Sequence, residues 1–121
     1  MNIKTKVDVF PLKKLFTISR GSRTKAEVVS VKVSKDGFTG NGECVPYKRY
    51  NETVKSVIDQ IKNLNQVNNR YDLEKNLPPG AARNALDCAF WDLEAKLNNT
   101  SVADLINLSI SSVITSFTLS L

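Results

Sequence analysis

Near Pro46 the apolar residues change their spacing from every second position to every third or fourth, and that switch limits the chain to a fold in which strands come first and helices follow. Upstream, Ile3, Thr5, Val7 and Val9 alternate with Lys4, Lys6 and Asp8, the period of a half-buried strand that Pro11 is expected to end. Val29, Val31 and Val33 repeat the pattern within Ala26–Ser34. Lys35-Asp36-Gly37 then reads as a hairpin turn, because Asp-Gly tolerates the positive φ of tight turns. A third strand is expected from about Phe38 to Cys44, where Gly40 and Gly42 point to a bulge or a close backbone approach.

Downstream, Val54, Val57, Ile58, Ile61 and Leu64 fall on one face of a helix that Thr53 caps, and the Asn-rich stretch from Asn63 to Asn69 ends it. Pro78-Pro79-Gly80 opens a second helix with a stripe of Ala82, Ala85, Leu86, Ala89, Phe90, Leu93 and Leu97, whose small members admit a close neighbour. Asn98-Asn99 stops it. Ser101 resembles the cap of a short helix through Ile106 or Leu108, and Val113 to Leu121 returns to a strand period with no obvious partner. The fold class is therefore α+β.

A chain of 121 residues, 41% hydrophobic and 24% charged, suits one globular domain. No apolar run reaches a membrane span, and the N-terminus lacks the apolar block of a signal peptide, so a cytoplasmic protein without membrane partners is expected. With no histidine, Ser-His-Asp and Cys-His machinery is excluded, and two cysteines alone make a poor zinc site. Cys44 and Cys88 are read as reduced thiols. The formal charge of +5 is dispersed and not interleaved with aromatic residues, so no nucleic-acid partner is expected.

Few residues carry chemistry on pattern alone. Arg20-Gly21-Ser22-Arg23-Thr24-Lys25 lies between strand signals; its guanidinium groups suit a carboxylate, yet a flexible solvated loop is the simpler reading. Glu43 is more simply solvated or paired than catalytic. Asp87 and Glu94 share a helix face from which Asp92 is rotated, and all three read as structural charges, with Arg83 available to pair with Asp87. Trp91 is most simply core.

Two segments go further. Gly42-Glu43-Cys44-Val45-Pro46-Tyr47 and Pro79-Gly80-Ala81-Ala82-Arg83-Asn84-Ala85-Leu86-Asp87, with the order of elements, resemble the N-terminal capping domain of the enolase superfamily, most of all that of its dipeptide epimerases in the mandelate racemase/muconate lactonizing enzyme group. The resemblance implies a three-stranded antiparallel meander followed by a helical bundle over residues 1–110. Residues 111–121 would be the first strand of a (β/α) barrel, after which the chain is cut. It implies an isomerase acting on L-Ala-D/L-Glu in which lysines and magnesium belong to the barrel, so no catalytic residue, metal ligand or bound magnesium is expected on this chain.

What the resemblance leaves here is a substrate-facing rim. The matching positions are the Ser19 to Thr24 loop, with Arg20 or Arg23 as the carboxylate partner and Thr24 beside them, the Cys44 to Tyr50 loop with Tyr47 and Tyr50, and Thr118 on the barrel strand. Such a cap is expected to be inactive without a barrel, supplied as a separate chain, and to meet dipeptide only when completed; homo-oligomers are a further expectation. The alternative is a stand-alone interaction module or a degenerate fragment without catalysis.

Overall fold

A computed structural model describes residues 1–18 and 21–117. Three strands, β1 (Asn2–Ile18), β2 (Gly21–Lys35) and β3 (Phe38–Cys44), form an antiparallel meander in the order β1-β2-β3. Asp36 and Gly37, both at positive φ (49° and 82°), make the two-residue turn between β2 and β3, as the Asp-Gly pair predicts. Helices α1 (Val54–Lys62), α2 (Arg70–Asn76), α3 (Ala81–Leu97) and α4 (Val102–Leu105) follow.

Pro11 does not end β1. The strand passes through it to Ile18, with a register shift against β2 between Pro11 and Phe16. Proline lacks a ladder donor, but β1 is an edge strand, where an absent N–H can face solvent and a bulge absorbs the irregularity. β2 accordingly starts at Gly21 rather than Ala26, and Arg23 and Lys25 are ladder residues, opposite Phe16 and Pro11, instead of members of a flexible loop. The long arm extends past the core, which leaves Val7, Val9, Phe10, Leu15 and Phe16 exposed where the alternation promised half-burial for Val7 and Val9.

The core forms where β2 meets the helices. Val29, Val31 and Val33 present one buried face to Val57 and Ile61 of α1, Leu73 of α2, and Ala82, Ala85, Leu86, Ala89, Phe90 and Leu93 of α3. Leu97 lies outside this stripe at 37% exposure, because the helix has by then run past the sheet. Gly40 and Gly42 are the closest approach of sheet and helix: a Cβ on Gly40 would stand 1.9 Å from the Ala89 carbonyl oxygen, and one on Gly42 2.0 Å from that of Ala85. The glycines thus serve close backbone approach.

Helix ends obey local chemistry. Thr53 caps α1 in a reciprocal box with Ser56 (Ser56 N–H to Thr53 Oγ1 3.0 Å, Thr53 N–H to Ser56 Oγ 2.9 Å). Ser101 caps α4, which stops at Leu105. Helix α2, unexpected from the sequence, is capped by Asn69 and buries Leu73, with Leu77 buried just beyond it.

Several charges act as ties between elements. The Asp92 carboxylate accepts the outward Asn41 backbone N–H at 2.8 Å and the Lys96 ammonium at 2.7 Å, while Lys96 also donates to the Thr39 carbonyl at 2.8 Å. Burial pushes the Asp92 carboxyl up, but Lys96 and the Asn41 N–H groups outweigh it and hold it below the usual carboxylate range. Together they occupy the free edge of β3, which would otherwise invite another strand. Arg70 pairs with Glu94 at 3.0 Å and lays its guanidinium 3.2 Å from the Trp91 ring centre, so Trp91 is a half-buried stacking surface rather than plain core. Arg83 donates to the Leu77 carbonyl at 3.4 Å instead of pairing with Asp87.

Residues 109–117 carry no regular structure, and Val113, Ile114 and Phe117 are exposed. The strand expected from Val113 is absent up to Phe117, since a strand forms only against a ladder partner; Thr118 to Leu121 lie outside the described residues. Among the described residues no helix is long and apolar enough to cross a membrane.

Candidate functional site

The loop after β3 is built by its own backbone. Residues Lys48–Tyr50 make one 3-10 turn, closed by Tyr50 N–H to Tyr47 O (2.9 Å), Asn51 N–H to Lys48 O (3.0 Å) and Glu52 N–H to Tyr47 O (3.2 Å). Asn51 takes φ 58°, a left-handed conformation that Asn adopts with little strain. This turn carries Tyr47 and Tyr50 outward, 44% and 67% exposed.

Across from it, the ladder of β1 and β2 delivers Arg23. Its guanidinium carbon lies 4.9 Å from the Tyr47 ring centre, so two candidates far apart in sequence come together as a cation on an aromatic face. Arg49 stacks similarly over Tyr50 at 5.9 Å. Among the described residues no carboxylate pairs with Arg23. Its planar donors stay available for a ligand's carboxylate, with the tyrosine ring limiting where they point. Thr24 falls where the β1–β2 register shifts, between Arg23 opposite Phe16 and Lys25 opposite Pro11. Arg20 and Thr118 lie outside the described residues.

One participant escaped the sequence reading. Glu52 accepts the Ala81 N–H at the start of α3 with Oε1 (2.6 Å) and the Tyr47 N–H with Oε2 (3.4 Å). A glutamate just before a capped helix carries no pattern that marks it. The cluster is an open surface; a cleft of about 660 Å³ lies elsewhere, lined by Ile3, Thr5, Ile61, Leu64 and Val67 among others.

Both cysteines are free thiols, Cys44 buried and Cys88 exposed. Burial pushes the Cys44 thiol up to about 11, and the charges of Glu52 and Glu43 add to the shift. At pH 8 a disulfide reagent is expected to label Cys88 promptly and Cys44 at least about a hundred-fold more slowly, since the thiolate is the reacting species. Two equal fast phases would contradict the burial of Cys44. Among the described residues no group of three or more His, Cys, Asp or Glu side chains converges to hold a metal ion.

The model of the mandelate racemase / muconate lactonizing enzyme N-terminal domain matches residues 2–107. The chain belongs to this family. As such an N-terminal domain, it is 46% identical over 112 residues to the L-Ala-D/L-Glu epimerase of Escherichia coli (strain K12), covering 89% of this chain and 35% of that protein. It is 38% identical over 100 residues to the N-acetyl-D-glutamate racemase of a Pseudoalteromonas species, covering 78% and 32%. Among solved structures, an enolase family member from Agrobacterium tumefaciens with homology to dipeptide epimerases, holding sodium and L-Ala-L-Glu, superposes with a TM-score of 0.77 at 41% identity, over 86% of this chain and 33% of that one. The MR/MLE N-terminal domain described here thus spans about a third of the length of the curated relatives it matches. Its meander and helices are the enolase-type cap that the two sequence segments implied.

Proposed function

We propose that this chain is the substrate-selecting cap of a dipeptide epimerase-like isomerase acting on L-Ala-D/L-Glu. In this reading Arg23 receives a substrate carboxylate through paired N–H donors, while the Tyr47 ring fixes the guanidinium plane and, with Tyr50, covers the bound dipeptide from water. Proton exchange at the α-carbon and the stabilising metal come from a (β/α) barrel, on the same or a separate polypeptide, so the cap has no turnover alone. The observation that carries the proposal is the 4.9 Å approach of Arg23 to Tyr47, because it joins strand β2 and the loop after β3 in one anion-ready surface. Both named relatives act on an N-acylated glutamate, which suits a cationic rim.

The test replaces the matching third of the Escherichia coli epimerase with this chain and follows loss of the glutamate α-proton of L-Ala-D-Glu by NMR in D2O containing magnesium. Exchange is expected in the chimera and absent with this chain by itself. Arg23→Ala in the chimera should lower kcat/KM by roughly 30- to 150-fold, the worth of about 2–3 kcal/mol for a charge-assisted pair. A folded, soluble chimera without exchange would overturn the proposal in favour of an interaction module that kept the cap fold.

A further inference from the structure

We infer that Glu52 is a positioning residue that references the Tyr47 loop to the N-terminus of α3, and through Tyr47 sets where the Arg23 guanidinium stands; the role in substrate selection rests on the function proposed above. Three contacts converge on it. Its Oε1 accepts from Ala81 N–H at 2.6 Å, its Oε2 from Tyr47 N–H at 3.4 Å, and its own N–H donates to the Tyr47 carbonyl at 3.2 Å. One residue therefore holds the backbone of Tyr47 at both its N–H and its carbonyl, and ties it to a helix that starts 29 positions beyond Glu52.

The helix has a specific need for this carboxylate. The first N–H groups of an α-helix lack partners within it, and Gly80, at the N-cap position, has no side chain to offer one. An anion at that end is also favoured by the helix dipole. Gly80 sits at φ 161°, extended backbone open to any residue, so conformation does not explain the glycine. Space does: a Cβ there would stand 2.9 Å from Glu52 Oε1. The absent side chain is what lets a distant glutamate do the work of a cap.

The consequence is mechanical. Helix α3 is seated on β3 by glycine-sized gaps and is the most deeply buried helix, so it is a rigid reference. A rim loop held only by its own 3-10 turn would drift with its flanks. Anchored through Glu52, Tyr47 keeps a fixed height above the sheet, and the cation resting on its ring keeps its aim. Among the described residues Glu52 makes no ion pair with Arg23.

Two variants separate this role from plain helix capping. Glu52→Gln retains one acceptor oxygen, which the shorter bond to Ala81 keeps, and opposes an amide NH2 to the Tyr47 N–H. It should leave the melting temperature within a few degrees of the parent yet loosen the loop. Gly80→Ala preserves the carboxylate but displaces it, and should loosen the loop as well. The measurement is 15N relaxation of the Tyr47 to Asn51 amides in the 121-residue chain, with the amides of β2 as internal reference. Raised disorder confined to the loop in both variants is the expected result; an unchanged loop in both overturns the inference. In the chimera, Glu52→Gln should raise KM for L-Ala-D-Glu roughly five- to ten-fold, the worth of about one hydrogen bond, with kcat within about two-fold. An inactive parent chimera would sink the functional reading while the relaxation result still decides the anchor. An active one with unchanged KM in Glu52→Gln would sink the positioning role alone.

Discussion

Gly42→Ala is expected to cost roughly 3–5 kcal/mol, at or above the upper end of overpacking substitutions, and to leave a large part of the chain unfolded. The added methyl carbon would lie 2.0 Å from the Ala85 carbonyl oxygen and 2.9 Å from the Ala89 nitrogen. Both are helix backbone, which cannot rotate aside as a side-chain tip does, so α3 must lift from β3 along its length. That movement opens the contact at Gly40, where the clearance is equally small. Against a total stability of about 5–15 kcal/mol for a domain, such a loss is close to decisive. Urea unfolding followed by Trp91 fluorescence measures it. Gly37→Ala is the control: nothing stands within 4 Å of its Cβ, and only the positive φ of 82° opposes it, at about 1 kcal/mol. Equal losses in the two variants would mean that the sheet and helix are not packed as described.

Leu73→Ala carries the second large expectation, a loss of about 2–5 kcal/mol from a fully buried leucine. Leu73 is 1% exposed and is the one residue of α2 that the core surrounds; Val67 and Leu77, on either side of the helix, are buried with it. The cavity left behind would separate α2 from α3 and free the Asn63 to Asn69 connection. If α2 were a polar segment merely resting on the surface, the same change would cost under about 0.5 kcal/mol. Chemical denaturation with the slope held in view distinguishes the two, because a detached α2 also lowers the surface exposed on unfolding.

That helix shows why parts of the fold are hard to read from sequence. Seven residues with a single inward leucine do not establish a period, and Asn, Asp, Lys and Arg around it look like loop. By contrast α3 was plain, because six of its stripe residues recur at helical spacing and all six are buried. Caps at Thr53 and Ser101 and the Asp36-Gly37 turn were equally legible, each being a reaction of neighbouring residues with their own backbone. The site was half legible. Arg23, Tyr47 and Tyr50 were marked by resemblance to a family rim, but that Arg23 meets Tyr47 and that Glu52 bonds to the Tyr47 and Ala81 backbone required the folded chain.

Sequence by itself determined whatever depends on near neighbours: the switch from strand to helix period, the turn, the caps, the small-residue stripe and the kinship with the N-terminal caps of epimerases. Tertiary structure alone decided which strand became an edge and so tolerated Pro11, which valines lay beyond the core, which glycines were narrow for a helix, and which charges closed the β3 edge or the α3 start. The physical reason is range. Backbone conformation and capping are set within about four residues, whereas burial, close approach and the pairing of Glu52 with Ala81 exist only once segments 29 positions apart share a surface.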